Sequence, residues 1–336
     1  MSDPIGVSSI LDVQDLVVRF PVGRGRVVRA VDGVSLRVGE DEALGVIGES
    51  GCGKTTTGKT IAQLGRPTSG RVLFRGEDLV TASRSRRRQL RRRIQFVFQD
   101  PQSSLNPRMT IQEIVAEPLR AFGEWRGSRS RDRVVALLEQ VGLGAGALHR
   151  YPHEFSGGQR QRVGIARGLA LDPDLLILDE PVSALDVSIQ AQILNLLMDL
   201  RAERSLGFMM ISHDLEVIRH VTDRVAVMYL GVVVEEGVTS EVLTAPAHPY
   251  TAALASATPP AGPDERRERI VLSGDVPSPL SPPSGCRFRT RCWRADALCA
   301  ERRPELTPVG DGSRSVACFH PLDVLAGPAA RIEAPA

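Results

Sequence analysis

Residues 42–64 read EALGVIGESGCGKTTTGKTIAQL. The first six, Glu42–Ile47, form a short apolar run typical of a buried strand, and the segment from Lys54 to Leu64 is predicted to be a helix. Between them, residues 48–55 (GESGCGKT) fit the pattern G-x-x-x-x-G-K-[ST], in the strand–loop–helix context that a phosphate-binding loop requires. The sequence therefore predicts an α/β fold built around a nucleotide-phosphate site.

The residues of this loop have separate tasks in binding a triphosphate. The glycines let the backbone wrap so that N–H groups point at phosphate oxygens, and the dipole of the following helix adds attraction. Lys54 is expected to bridge the β- and γ-phosphates, and Thr55 to ligate Mg²⁺. The residues expected to contact ATP here are Gly48, Ser50, Gly51, Cys52, Gly53, Lys54, Thr55 and Thr56.

A second motif, LLILDE at residues 175–180, supplies carboxylates. An apolar strand ending in Asp179 matches the Walker B pattern, in which the aspartate holds Mg²⁺, usually through water. Glu180 follows directly and could polarise the water that attacks ATP. Taken alone, the two acids could equally cap the next helix, and the phosphate loop elsewhere in the chain favours the catalytic interpretation.

Composition and charge are typical of a soluble globular protein, with 42% hydrophobic and 24% charged residues. The net charge of +2, from 42 basic and 40 acidic residues, gives no support for nucleic-acid binding. The N-terminus lacks the pattern of a signal peptide, and the longest apolar run, residues 225–234, is well short of the roughly 20 residues of a membrane span. We therefore expect a cytosolic chain that meets a membrane only through partners.

Strand-like and helix-like segments alternate from Leu11 to about Gly237, which predicts a mainly parallel sheet covered on both faces. The predicted strands beyond the first are Ile94–Phe98, Leu175–Asp179, Phe208–Ile211 and Val225–Tyr229, and the predicted helices include Arg131–Val141 and Val187–Arg204.

Residues 155–159 read FSGGQ and are followed by RQRVGIARGLA. Ser156 and the two glycines expose backbone N–H groups at the start of a helix, which makes a second anion-binding site. Two such sites need either two phosphate groups or one phosphate bound between two chains. The motif resembles the LSGGQ signature of the ABC ATPases, with Phe155 in place of the usual Leu.

The resemblance implies an ABC-type P-loop NTPase core: a mainly parallel sheet, an antiparallel β-subdomain and a helical subdomain. It implies that Gln99, in FVFQDP, senses Mg²⁺ and the γ-phosphate, and that His213, in ISHDL, contacts the γ-phosphate. Asp186 belongs to a segment resembling the D-loop (SALD, 183–186), which crosses a dimer interface. Phe20 resembles the aromatic that stacks on adenine, although an aromatic at a strand end is as often core.

By the same resemblance, Ser156, Gly157, Gly158 and Gln159 bind the ATP held by a partner chain. The Mg²⁺ ligands are then Thr55, Gln99 and Asp179, and the catalytic residues are Glu180 and His213.

Segments outside these motifs resemble the oligopeptide/dipeptide importer branch, among them FVFQDPQSSLNPRMT (96–110), YPHEFSGGQRQR (151–162) and APAHPYTAALASATP (245–259). The likeness covers roughly residues 11–322. It divides the chain into an ATPase domain (1–240, helical subdomain about 100–170), a linker with the HPY motif (241–285), a cysteine-rich module (286–322) and a disordered tail (323–336). Gly168 departs from the usual Ala, at a cost of about 1 kcal/mol in helix propensity.

Two further features each allow two interpretations. Cys286, Cys292, Cys299 and Cys318 could hold a [4Fe–4S] cluster, or could be reduced thiols that pack a small module. The segment from Arg84 to Arg93 could be a patch for nucleic acid or anionic lipid, but a solvated helix is favoured.

The functional expectation is an ATP-hydrolysing subunit of an ABC importer, on the cytoplasmic face of the cell membrane. The cofactors implied are ATP and Mg²⁺. The partners implied are a second ABC ATPase subunit, the same or homologous, two transmembrane permeases and, indirectly, an extracytoplasmic solute-binding protein, with no nucleic acid. The alternatives are a non-transport ABC ATPase acting on ribosomes or DNA, and a regulatory nucleotide-binding subunit. Intact Lys54, Asp179, Glu180 and His213 argue against the last.

Overall fold

The computed structural model describes residues 9–23, 25–257, 269–310 and 312–323. The strands are β1 (Ser9–Pro21), β2 (Val27–Gly39), β3 (Ala43–Ile47), β4 (Ser69–Phe74), β5 (Glu77–Asp78), β6 (Ile94–Val97), β7 (Leu175–Asp179), β8 (Gly207–Ile211), β9 (Arg224–Tyr229), β10 (Val232–Val238), β11 (Thr307–Val309) and β12 (Arg314–Val316). The helices are α1 (Lys54–Ile61), α2 (Arg84–Arg93), α3 (Pro101–Ser104), α4 (Ile111–Ala121), α5 (Ser128–Gln140), α6 (Gly157–Leu169), α7 (Val187–Arg204), α8 (Leu215–Val221), α9 (Thr239–Thr244), α10 (Pro249–Ala257) and α11 (Ala297–Glu301).

The larger sheet has the order β11-β12-β10-β9-β3-β8-β7-β6. Its centre is parallel, since β3 pairs in parallel with both β8 and β9, and β7 pairs in parallel with β6 and β8. Every residue of β3, β7 and β8 is buried, as expected of central strands that are covered on both faces. This confirms the α/β fold with a mainly parallel sheet.

The smaller sheet is antiparallel, with the order β2-β1-β4-β5. Its long β1–β2 ribbon contains several register shifts, and Asp15 has a positive φ of 48° at one of them. The apolar face of this sheet packs in one hydrophobic cluster with residues of β3, α1 and β8. The antiparallel subdomain thus forms one wall beside the phosphate loop.

Helices α3 to α6 lie between β6 and β7 in the chain and correspond to the expected helical subdomain. Helix α4 begins with a capping box, in which the Thr110 side chain accepts from the Glu113 backbone and the Glu113 carboxylate accepts from the Thr110 backbone. Its buried residues Ile114 and Val115 share a core with α5 and α6.

The C-terminal part differs from the sequence interpretation. Residues 241–285 were expected to be a linker or extended arm, but α9 and α10 lie within this range or overlap it, and most of their residues are buried. Strand β12 of the cysteine-rich module pairs antiparallel with β10, so the module extends the central sheet. Residues 258–268 of the predicted linker and 324–336 of the predicted tail lie outside the described residues. In the described ranges, the helices are too short or too polar to cross a membrane.

Candidate nucleotide-binding site

The phosphate loop connects the end of β3 to the start of α1, as the sequence predicted. Two of its positions require glycine. A Cβ atom on Gly48 (φ 149°) would lie 2.1 Å from the Met228 carbonyl oxygen, and one on Gly53 (φ 107°) would lie 2.2 Å from the Ala30 carbonyl oxygen. The loop is therefore fitted closely between β9 and β2.

Lys54 is almost fully buried, with 5% of its surface exposed. Its Nζ donates to the carbonyl oxygens of Gly48 (2.7 Å) and Glu49 (3.1 Å). These bonds hold the ammonium group against the loop that would receive the phosphates. The neighbouring Cys52 is also buried, and burial raises the pKa of its thiol.

Thr55 and Asp179 place two oxygen ligands side by side. The Thr55 hydroxyl donates to Asp179 Oδ1 at 2.8 Å, which joins the phosphate loop to the end of β7. Burial raises the pKa of Asp179, while the hydrogen bond from Thr55 opposes this rise. Hydroxyl and carboxylate oxygens are ligands that Mg²⁺ accepts, so this pair could hold the ion.

Glu180 forms the centre of a three-residue group. Its carboxylate accepts from Gln99 Nε2 at 2.8 Å and lies 3.2 Å from His213 Nδ1. The three residues follow β6, β7 and β8, whose carboxyl ends meet at one edge of the sheet because the strands are parallel. The structure thus brings together the three side chains expected to act at the γ-phosphate.

The backbone of Glu180 is unusual. Its φ of 45° lies in the left-handed region, and its N–H donates to the Ile211 carbonyl oxygen at 2.9 Å. A left-handed conformation is unfavourable for residues other than glycine and is found at functional sites. Here it accompanies the turn that carries the chain out of β7 at the residue expected to align water.

The FSGGQ segment forms the start of α6, with Ser156, Gly157 and Gln159 exposed and Phe155 and Gly158 buried. Ser156 caps the helix, with its hydroxyl accepting from the Gln159 backbone (3.3 Å) and Gln159 Oε1 accepting from the Ser156 backbone (3.0 Å). Gly158 has no room for a side chain, since a Cβ would lie 2.3 Å from Ile189 Cγ2. Within the described residues, no hydrogen bond joins this segment to the phosphate loop. Asp186 lies nearby, at the exposed start of α7.

Phe20 lies near the end of β1, opposite Val28, and is 47% exposed. It is therefore not a core residue. The strand β2 that pairs with it also carries Ala30, whose carbonyl oxygen limits the space at Gly53. Stacking of Phe20 on adenine stays a prediction, on a surface close to the phosphate loop.

Two residues that contact the loop were not predicted. The Glu49 N–H donates to the Tyr250 hydroxyl at 2.8 Å, and the Arg291 guanidinium donates to both Glu49 oxygens at 2.7 and 3.2 Å. Tyr250 is the tyrosine of the HPY motif, which was known from the sequence but carried no sign of its target.

The four C-terminal cysteines line one small cavity, together with His248, Phe288 and His320. Burial raises the pKa of Cys292 to about 11 and that of Cys318 to about 12, and Cys286 and Cys299 add to both rises. A second set of ligand atoms overlaps this group, because Asp296, Cys299 and His320 offer atoms within 4.8 Å of one another.

The Arg84–Arg93 segment is helix α2, as the favoured interpretation expected. Several of its arginines are engaged within the chain. Arg92 pairs with Glu124, Arg88 donates to the Ala121 carbonyl oxygen, and Arg93 pairs with Asp174. These contacts attach α2 to the helical subdomain and the central sheet.

Known proteins resemble this chain over most of its length. Residues 31–183 match the family described as "ABC transporter", and residues 234–299 match "Oligopeptide/dipeptide transporter, C-terminal region". The oligopeptide transport ATP-binding protein OppF of Salmonella typhimurium is 51% identical over 321 residues, covering 92% of this chain and 96% of that protein. The dipeptide transport ATP-binding protein DppF of Haemophilus influenzae is 48% identical over 306 residues, covering 90% and 93%.

A solved structure shows the same fold. The dimeric, post-hydrolysis ATP-binding cassette MJ0796, bound to ADP and Pi, is 30% identical with a TM-score of 0.62, and the match covers 68% of this chain and 98% of that one.

Proposed function

This chain belongs to the ATP-binding subunits of ABC transporters, in the group with the oligopeptide/dipeptide C-terminal region, and we propose that it hydrolyses ATP to drive uptake of peptides across a membrane. The observation that carries the proposal is the group formed by Gln99, Glu180 and His213 beside the Thr55–Asp179 pair. A chain that only bound nucleotide would have no need of this assembly.

In the proposed reaction, water attacks the γ-phosphorus, the bond to the β–γ bridging oxygen breaks, and ADP and phosphate leave. Glu180 orients the water through its carboxylate, and His213 and Gln99 hold that carboxylate in place. Lys54 turns from the loop carbonyls to the phosphate oxygens. Thr55 and Asp179, with Gln99, would hold Mg²⁺, which would supply positive charge against the phosphates.

The FSGGQ segment supports a site shared between two chains. Ser156, Gly157 and Gln159 lie exposed at the start of α6 and, among the residues that the structure describes, the segment makes no hydrogen bond to the chain's own phosphate loop. We infer that two ATPase chains pair head to tail, so that Ser156–Gln159 of one closes over the ATP on Lys54 of the other. Binding then closes the dimer and hydrolysis opens it.

The expected partners are a second ATPase subunit, identical or homologous, and two transmembrane permeases that receive the motion near Gln99. An extracytoplasmic solute-binding protein would supply the peptide or related small solute. On this proposal, the chain would lie on the cytoplasmic face of the membrane. Its support is the match of residues 234–299 and the names of the relatives.

We also propose that Cys286, Cys292, Cys299 and Cys318 hold a [4Fe–4S] cluster, because all four line one cavity. Iron and acid-labile sulfide in protein purified without oxygen, absent from a Cys292→Ser variant, would support the cluster. Protein that contains neither would instead support four packed thiols.

The test of the main proposal is purification of a tagged Glu180→Gln chain from detergent-solubilised membranes with ATP, followed by mass spectrometry. The substitution should trap the closed dimer, and we expect two permeases to copurify, with or without a second ATPase. A Lys54→Ala/Glu180→Gln chain is the control, since without ATP binding it should not form the trapped dimer. Ribosomal or DNA-repair proteins without any permease would overturn the importer assignment.

A further inference from the structure

Glu49 joins the phosphate loop to the C-terminal region by hydrogen bonds. This glutamate lies between Gly48 and Ser50, within the loop itself. Its side chain receives two hydrogen bonds from Arg291, and its backbone N–H donates to Tyr250. Arg291 and Tyr250 lie 242 and 201 residues further along the chain.

The contact is largely shielded from water. The exposed fraction of the side chain is 8% for Arg291 and 26% for Glu49, and Tyr250 is fully buried. Paired, bidentate bonds between guanidinium and carboxylate are among the stronger hydrogen bonds in proteins. A buried charge that loses its partner is costly, so this pair resists separation.

Three aromatic rings support the contact from behind. Tyr250 packs against Tyr229 with ring centroids 4.7 Å apart, and Phe288 contacts both, at 5.4 and 5.2 Å. Phe288 belongs to the cysteine-rich module, and its carbonyl oxygen accepts from the Arg291 backbone N–H at 3.0 Å. The position of Arg291 is therefore determined by the folded module.

The same loop segment holds the lysine. Lys54 donates to the carbonyl oxygens of Gly48 and Glu49, so a shift of Glu49 would move both acceptors of its ammonium group. The charge of Glu49 gives a second reason why this contact would affect the binding of ATP. An unpaired Glu49 carboxylate would repel a bound triphosphate, whereas Arg291 cancels that charge.

We infer that Tyr250 and Arg291 are positioning residues of the ATP site, through which the C-terminal region sets the affinity of the phosphate loop for ATP. The inference rests on the proposed ATPase function. Both residues are inferred to act on the loop through Glu49.

The test compares full-length variants by equilibrium titration with ATP and by KM and kcat from phosphate release. Arg291→Gln should raise the Kd and KM for ATP about tenfold, the size of one charged hydrogen bond, with a smaller change in kcat. Tyr250→Phe keeps the ring and removes the acceptor, and should raise KM by about threefold. Arg303→Gln is the matched control, since Arg303 belongs to the same module but pairs with Asp32 of β2.

A double variant separates positioning from general destabilisation. Glu49→Gln/Arg291→Gln removes the carboxylate that Arg291→Gln leaves unpaired, and its KM should return toward that of the wild type. The inference is overturned if Arg291→Gln and Arg303→Gln have the same KM, or if the double variant is worse than Arg291→Gln. A wild-type chain that neither binds nor hydrolyses ATP would instead contradict the proposed function itself.

Discussion

At the scale of single residues, Glu180 combines a strained backbone with two side-chain partners. Its left-handed φ, the hydrogen bond from Gln99 and the close approach of His213 limit the positions that its carboxylate can adopt. Such restriction is useful when a group must align water against a phosphorus atom, because the cost of ordering is met during folding.

Replacing this carboxylate should separate binding from chemistry. Glu180→Gln is expected to lower kcat for ATP by about 100-fold or more, since it removes the charge that polarises water. The affinity for ATP should change little because Lys54 and the loop are intact. Phosphate release and ATP titration measure the two effects. Glu216→Gln, at an exposed glutamate of α8 paired with Arg219, is the control; a similar loss there would contradict a specific role for Glu180.

The burial of His248 predicts that the free energy of unfolding depends on pH. It is completely buried, its Nδ1 accepts from the Tyr250 backbone N–H (3.0 Å), and burial lowers its pKa to about 3 from an ordinary value of 6.5. The unfolded chain therefore binds a proton that the folded chain does not. The stability from neutral His248 is fully present above pH 6.5 and falls as pH drops towards 3, by about 1.4 kcal/mol per pH unit.

The measurement is thermal unfolding of the wild type and of His248→Asn between pH 7 and 5. Asparagine can accept the same hydrogen bond but does not titrate, so the variant should lose less stability on acidification. Burial raises the pKa of the nearby Glu235, so its contribution to stability changes with pH in the opposite direction. Both proteins contain Glu235, so this contribution does not affect the comparison. Equal losses in the two proteins would show that His248 does not titrate in this way.

At the scale of elements, two glycines of the phosphate loop allow the effect of steric crowding to be separated from the effect of backbone strain. Gly53 has a positive φ and no room for a Cβ, whereas Gly51 has a positive φ of 78° but open space around the place that a Cβ would occupy. Gly51→Ala should cost about 1–2 kcal/mol of stability from the left-handed backbone alone. Gly53→Ala should cost more and abolish ATP binding, as judged by thermal unfolding and ATP titration. Equal effects would mean that the approach of Ala30 is unimportant.

Most of these elements could be predicted because their signals are local. Strand β7 and helix α7 begin and end as the sequence predicted. Helix α1 ends at Ile61 rather than Leu64, since Gln63 adopts a positive φ of 59°. Gly168 also has a packing reason that helix propensity does not reveal, because a Cβ there would lie 3.1 Å from Leu176 Cδ1 and 3.2 Å from Val97 Cγ2.

The candidate site likewise contains residues that could be predicted from the sequence and residues that could not. The ATP motifs could be found because each is a short pattern of residue types. The hydrogen bonds that join Glu49 to Tyr250 and Arg291 could not be found, because they join residues more than 200 positions apart. Nothing in the HPY motif or in the sequence beside the cysteines indicates which distant carboxylate or N–H group Tyr250 and Arg291 contact.

At the scale of the whole molecule, the C-terminal region is built into the ATPase domain. Glu235 of β10 is fully buried, with its carboxylate accepting from the Ala247 and His248 backbone N–H groups at 2.8 Å and lying near Arg314. Arg287 pairs with Asp32 of β2. A chain ended at residue 240 would leave the Glu235 charge without partners and expose the edge of β10.

Truncation should therefore destabilise the remaining domain. A chain of residues 1–240 is expected to aggregate or to unfold at a clearly lower temperature than the full chain, because unpaired strand edges and uncompensated buried charges are unfavourable. A chain of residues 1–323 is the control and should unfold like the full chain. Size-exclusion chromatography and thermal unfolding measure both; a stable, monomeric 1–240 domain would contradict this view of the sheet.

The continuity of the sheet through β10 and β12 also governs how such subunits can be recombined. A chimera that exchanges the region after β10 between two relatives would graft one protein's Tyr250 and Arg291 onto another protein's phosphate loop. The exchange would preserve every ATP motif and would mismatch the residues behind them wherever the two proteins differ at these positions. Functional hybrids should therefore depend on inheriting Glu49, Tyr250 and Arg291 as one unit, although these residues lie at opposite ends of the gene.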